Sequence, residues 1–304
     1  MGTRWTAADI PDLSGRTAIV TGASSGIGFQ TALTLAAHRA RVILAVRSPE
    51  RGARAAEVIR TQGAGDVEIR ALDLADLASV RRFAAEWLGS GERLDLLVNN
   101  AGTMALARRL TVDGFEVQVG VNHLGHMALT GLLMPALAVD ARIVTVSSLG
   151  HRLGRIHVDD LMGEQHYRPW RSYAQSKLAN LLFTAELHRR LAARGSGITV
   201  LAAHPGFTAT HIIGIGPTLT VSRRQRAMSR VMGVVAQDAA MGALPVLRAA
   251  TDRALPSGAY VGPRGWLEIR GYPREVQPSM RARDERVARR LWEVSTELTG
   301  VEWP

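Results

Sequence analysis

Short apolar runs alternate with longer stretches of helical periodicity along most of this chain. Thr17–Thr21, Arg41–Val46, Val67–Ala71, Leu94–Val98, Arg142–Val146 and Thr199–Ala203 predict buried strands, being apolar and bounded by Gly, Asn, Asp or Ser. Between them, Ile27–Arg39, Glu50–Thr61, Leu77–Leu88, Val112–Leu137 and Tyr173–Ala193 predict helices. Sustained β-α-β alternation implies an α/β fold with a parallel sheet covered on both faces, and right-handed crossovers make it doubly wound. Leu149–Arg171 and Thr208–Val235 break the rhythm after the fifth and sixth strands. Both emerge at the carboxyl edge, where such sheets bind ligands, and are expected to wall a substrate pocket or to be plain surface loops. The second is expected to act as a mobile lid. The tail from Pro256 to Pro304 predicts a short strand at Ala259–Val261 and a helix at Arg281–Leu298. No repeat, low-complexity tract or linker divides residues 1–304, so a single domain is expected.

Composition narrows the function. With no cysteine, disulfides, thiolate catalysis and cysteine-based zinc sites are excluded. No apolar run spans a bilayer and Met1–Asp12 lacks a secretory h-region, so a soluble cytoplasmic protein free of the membrane is expected. The formal charge of +10 suggests nucleic acid, but the arginines lie among acids, as in Arg281–Arg290, and aromatic residues are few. That is a solvated surface rather than a phosphate-tracking stripe, and no nucleic-acid partner is expected. His123 with His126, or His151 with His157, lacks a convincing third ligand, so no metal is expected. Of the 37 basic residues one is Lys, at position 177, four residues after Tyr173. Arg cannot release its proton, so a position that needs the ammonium itself would keep Lys.

The first strand runs directly into Gly22-Ala23-Ser24-Ser25-Gly26-Ile27-Gly28, and a helix follows. Glycines at this spacing permit a tight turn and close approach of a dinucleotide pyrophosphate to the helix N-terminus. No Gly-Lys-Ser/Thr follows, so this is not a P-loop. An NAD site would place a carboxylate on the ribose after the second strand; here the strand ends in Arg47 and Ser48. Arg47 suits a 2′-phosphate, which predicts NADP(H) over NAD(H), or else is a surface Arg closing the strand. Asp73, beside Leu74, is expected to accept from the adenine amino group or to cap the helix near Leu77. Asn100, Ala101 and Gly102 let backbone approach the ribose and adenine side, or form a simple turn.

These motifs, with Tyr173-Ala174-Gln175-Ser176-Lys177, stand in order on the expected elements, and the whole chain resembles the short-chain dehydrogenase/reductase family. The phrases V-N-H-L-G-H and S-K-L-A-N-L-L-F-T are similar to the branch containing retinol dehydrogenases and light-dependent protochlorophyllide reductases. The resemblance implies a Rossmann-type fold, hydride transfer between a nicotinamide and a carbonyl or alcohol, and a homodimer or homotetramer. It also implies a tetrad of Asn122, Ser148, Tyr173 and Lys177, with Ser148 polarising the substrate oxygen and Asn122 holding a water that links Lys177 to solvent. Pro205, Gly206, Thr208 and Thr210 would grip the nicotinamide carboxamide, helix capping being the other reading of either Thr. Chemistry agrees independently. Tyr173 and Lys177 share a helix face at i and i+4, and a neighbouring ammonium favours the phenolate of a group whose free pKa is ~10. Two rival readings are a non-catalytic NADPH sensor on the same fold and a sugar-nucleotide epimerase or dehydratase. The intact Tyr–Lys pair speaks against the first, and the glycine spacing and short tail against the second. Many retinol dehydrogenases carry a hydrophobic anchor, and the light-dependent reductases rely on cysteines; with no anchor-like apolar run and no cysteine in the sequence, neither a retinoid nor protochlorophyllide is the expected substrate.

Overall fold

The computed structural model describes residues 4–62, 65–104, 107–208 and 237–303, so Thr210 and the expected lid after Thr208 lie outside the described residues. β1 (Thr17–Thr21), α1 (Gly26–Ala37), β2 (Arg41–Val46), α2 (Pro49–Thr61), β3 (Val67–Ala71), α3 (Leu77–Gly89) and β4 (Leu94–Asn99) follow one another in the expected rhythm. Then α4 begins at Val117–Val119, passes through a π-helical stretch at Gly120–Leu124 and resumes as Gly125–Leu133. β5 (Leu137–Val146), α5 (Pro169–Ala193), β6 (Thr199–Ala203), α6 (Ala239–Thr251), β7 (Tyr260–Pro263), β8 (Pro273–Glu275) and α7 (Glu285–Thr299) complete the chain.

The strands form one sheet in the order β3-β2-β1-β4-β5-β6-β7-β8. All neighbours are parallel except β7 and β8, so the sheet is mostly rather than wholly parallel. β1 and β2 pair in register from Thr17 opposite Arg41 to Thr21 opposite Ala45, so the glycine loop and Arg47 leave the sheet side by side. The strand order reverses between β1 and β4, and this opens a crevice at their carboxyl ends.

Apolar side chains fill both faces. On one, Val20, Leu44 and Leu201 pack with Leu35 of α1, Ile59 of α2 and Leu247 of α6. On the other, Ile19, Leu97 and Ile143 pack with Phe83 of α3, Met127 of α4 and Phe183 of α5. α7 closes over α5, and Trp292 stacks on Phe183 at 5.8 Å. The charged Arg142 inside β5 has a partner: its guanidinium donates to Ala249 O and Asp252 O at 2.9 and 3.0 Å, capping the carboxyl end of α6.

Three expectations need correction. The helix read over Val112–Leu137 is shorter and interrupted, because Leu110 bridges to Glu116 as an antiparallel turn and Leu137 already belongs to β5. Periodicity cannot register that Gly120 and Gly125 bring α4 against Thr111 and Leu74, where a Cβ would come within 2.6 Å of each. The final helix starts at Glu285 rather than Arg281, since Asp284 caps it through the Val287 N–H at 3.1 Å. Asp76, accepting from the Ala78 N–H, caps α3, and Asp73 does not.

Burial holds three histidines neutral: His123 is pushed down to about 3, and His126 and His151 to about 4. Each folded value lies below the ordinary 6.5, so the unfolded chain takes up protons first as pH falls. Stability is therefore retained above pH ~6.5 and lost towards pH ~4, at about 3 kcal/mol per group. Circular dichroism melts between pH 7 and 4 should show steep acid loss, and a flat profile would contradict these burials.

Candidate active site

The crevice above β1 and β4 is a cleft of about 450 Å³ walled by Gly22, Ser24–Gly28, Arg47, Asp73, Leu74, Asn100–Gly102, Tyr173 and Lys177. These come from four loops and from α5, all at the carboxyl edge. The glycines are there for space and for backbone angle. Gly22 and Gly26 have φ of +66° and +59°, and a Cβ on Gly28 would stand 2.6 Å from Gly22 O. Ser25, the N-cap of α1, makes no side-chain capping bond, so the first N–H groups of that helix keep their capacity for an anion. Uncapped donors, close backbone approach and a long cleft fit a dinucleotide with its pyrophosphate at α1.

Hydrogen bonds lock the cleft floor. Thr21 Oγ accepts from the Asn100 and Ala101 N–H groups at 2.9 Å each, and Asn100 Nδ2 donates to Thr21 O at 2.8 Å. Asp73 Oδ1 accepts from the Ala75 N–H at 3.0 Å, which turns the chain past the crevice. At the end of β2, Ser48 and Arg51 line the cleft beside Arg47. Periodicity missed Arg51, although it follows Arg47 by four residues across the start of α2. Neither Arg47 nor Arg51 has an ion pair among the described residues, whereas Arg16, Arg41 and Arg70 are all paired with carboxylates. Asp73 is the one carboxylate on the described wall.

At the other end, α5 carries Tyr173 and Lys177 one turn apart, with the ammonium 6.0 Å from the Tyr173 ring centre. Lys177 is 3% exposed, and Nζ donates to Val146 O at 3.1 Å. Burial pushes it down to about 8. Against the expectation that the neighbouring ammonium draws it down, the phenol of Tyr173 is raised by burial, which outweighs the Ser148 hydroxyl acting in the opposite sense, and it has no well-formed hydrogen bond among the described residues. A Cβ on Gly150 would touch both the Tyr173 ring and Ser148 Oγ, at 3.2 and 3.6 Å. Ser148 thus stands beside the phenol. The adjacent Ser147 is buried and donates to Lys177 O at 2.7 Å, which spends its hydroxyl on α5 backbone.

Asn122 lies in the π stretch, behind Gly102. Its Oδ1 accepts from the Thr103 N–H at 2.7 Å, and Nδ2 donates to Thr103 O and Ser176 Oγ at 3.0 and 2.9 Å. Both amide hydrogens are engaged, so the side chain clamps the loop after β4 to α5. π turns of this kind recur at functional sites. Pro205, Gly206 and Thr208 follow β6 outside the cleft walls. Gln237 Nε2 donates to Pro205 O at 2.6 Å, and Thr208 bridges to Gln237.

Replacing the Lys177 ammonium should stabilise the cofactor-free protein. Its folded value near 8 lies below the ordinary 10.5, so burial of the charge costs up to about 3 kcal/mol at neutral pH. Wild-type stability should rise as pH climbs from 8 to 10.5, because there the unfolded chain binds more protons. Lys177→Met should melt at an equal or higher temperature at pH 7 and lose that rise; a variant melting far lower would contradict it.

Comparison with known proteins identifies the family. The family described as short chain dehydrogenase matches residues 16–214. Retinol dehydrogenase 11 of Mus musculus is 42% identical over 300 residues, covering 96% of this chain and 89% of the relative. Retinol dehydrogenase 13 of Homo sapiens is 42% identical over 302 residues, covering 96% and 87%. An uncharacterized protein from Mycobacterium paratuberculosis superposes with a TM-score of 0.83 at 46% identity, over 99% of this chain and 100% of that one. A Beutenbergia cavernae protein described as an NAD(P) dependent gluconate 5-dehydrogenase, solved with NADP at low occupancy, has a TM-score of 0.62 at 27% identity, over 80% of this chain and 92% of that one. The chain belongs to the short-chain dehydrogenase family, in its retinol dehydrogenase-like branch, and is an oxidoreductase of alcohol or carbonyl groups.

Proposed function

We propose that this protein is an NADP(H)-dependent reductase of apolar carbonyl compounds, with the corresponding alcohol oxidation as the reverse reaction. The observation that carries the reading is that Tyr173 and Lys177 wall the same cleft as the uncapped amino end of α1. Bound there, the dinucleotide would supply hydride from the nicotinamide C4. Everything else falls to the chain. Ser148 donates a hydrogen bond to the substrate oxygen, where negative charge develops. Tyr173 delivers the proton to that oxygen. Burial keeps its phenol protonated at neutral pH, the state that reduction needs. Lys177 holds positive charge near the phenol, and so eases the build-up of negative charge on it as the proton leaves.

Preference for NADP(H) rests on Arg47 and Arg51, two guanidiniums without ion pairs at the end of the cleft where a ribose carboxylate partner is missing. An apolar substrate is supported by large exposed side chains on the segments that follow β5 and β7. Trp170 sits edge-on to Tyr173 at 6.4 Å, and Leu153, Trp266 and Leu267 are exposed on segments joined by the Arg152–Glu268 ion pair. The curated relatives named as retinol dehydrogenases point to the same substrate class.

NADPH consumption over a panel of ketones, aldehydes and enones tests the activity. Tyr173→Phe should lower turnover by about 100-fold or more while leaving the fold and NADPH binding intact. Retained turnover would exclude the mechanism. Arg47→Ala should raise the KM for NADPH by about tenfold or more with little change for NADH, and Arg51→Ala should act in the same direction. An unchanged NADPH KM in both variants would remove the cofactor assignment.

A further inference from the structure

Two consecutive residues, Leu267 and Glu268, hold left-handed backbone at φ of +51° and +59°, a conformation that side chains other than Gly rarely adopt. Such outliers persist where the surroundings over-determine them, and those surroundings are specific here. The Glu268 carboxylate reaches inward to His204 Nε2 at 3.1 Å and sideways to Arg152 Nη2 at 2.8 Å. His204 is fully buried and lies flat on β7, where a Cβ on Gly262 would stand 2.0 Å from its ring.

The imidazole's tautomer follows from its partners. The Gly206 N–H donates to His204 Nδ1 at 3.2 Å, so Nδ1 is unprotonated and Nε2 carries the hydrogen that Glu268 accepts. Next to Glu268, Ile269 O accepts from the Phe207 N–H at 2.7 Å. The turn Pro205–Phe207 is therefore braced at two points by a single strained loop. Arg152 lies in the 3-10 turn that Ser148 caps, so the same carboxylate also braces the turn that presents Ser148.

We propose that Glu268 is a positioning residue that ties the turn after β6, just outside the cleft walls, to the turn that presents Ser148 after β5. This rests on the reading of the cleft given above. Its effect belongs to hydride transfer rather than to cofactor affinity, because neither braced turn is among the walls of the cleft. Loosening the two turns shifts reacting groups by fractions of an ångström, to which rates are steeply sensitive.

Two variants separate the links. Glu268→Gln keeps an acceptor for His204 and loses the charge that holds Arg152. Glu268→Gly loses both links while relieving the left-handed backbone at that position. With NADPH as the probe, both should bind within about threefold of the wild-type Kd, with kcat lowered about tenfold in Gln and more in Gly. The deuterium isotope effect with 4-deuterated NADPH should rise, and the fluorescence lifetime of bound NADPH should shorten in the same order. A merely structural role would move the melting temperature and leave isotope effect and lifetime alone. Wild-type values of both in the two folded variants would overturn the proposal. If the wild type binds NADPH yet reduces no carbonyl, the functional reading fails while the lifetime still decides the role of Glu268. Failure to bind NADPH at all would overturn both.

Discussion

An ammonium held almost entirely out of water is the constraint on which the carboxyl edge of this sheet depends. Among the described residues Lys177 has one hydrogen bond, to Val146 O, and no counter-ion. A cation in that position is costly. The neighbouring choices are those that tolerate it. Gly102 leaves room, since a Cβ there would come within 3.3 Å of Nζ, and Asn122 clamps the adjoining loop without bringing a carboxylate. A carboxylate would relieve the cost but neutralise the charge. The protein thus keeps a locally unfavourable arrangement, a cost of the kind that sites built for activity impose on stability.

The arginines show the opposite strategy. Arg41, Glu68, Arg70 and Glu92 interlock across β2, β3 and the start of β4, and Arg16 pairs with Asp95 and Asp140 beneath the sheet. These arginines are matched by carboxylates away from the cleft, as are others in helix-surface pairs such as Arg289–Glu285. Arg47 and Arg51, without an ion pair among the described residues, differ in lining the cleft.

The parts of the fold governed by local periodicity were legible in the chain. β1, β2 and β6 begin and end at the residues their apolar runs predict, because strands buried on both faces are bounded by abrupt changes of polarity, and the half-exposed edge strand β3 is bounded as predicted too. The glycine loop and the Tyr173–Lys177 pair were legible because each needs a fixed spacing within one element. Features set by contact between distant segments were not. The π turn answers to Leu74 and Thr111, neither of which belongs to α4. α6 is interrupted as a pattern by Gly242 and Pro245, and Gly242 is there because Thr208 packs against it. Glu268 meets His204 across 64 residues, and nothing around it in sequence signals a partner.

The two borders of the sheet differ in make-up and agree in effect. One is β3, whose outward groups include Glu68 and Arg70, and the other is the three-residue β8, opening on Pro273 and running antiparallel to its neighbour. A proline offers no donor, a strand so short gives little template, and a charged rim repels an incoming backbone. Growth of the sheet by lateral recruitment of another chain, the first step of amyloid-like stacking, is thereby discouraged at both margins.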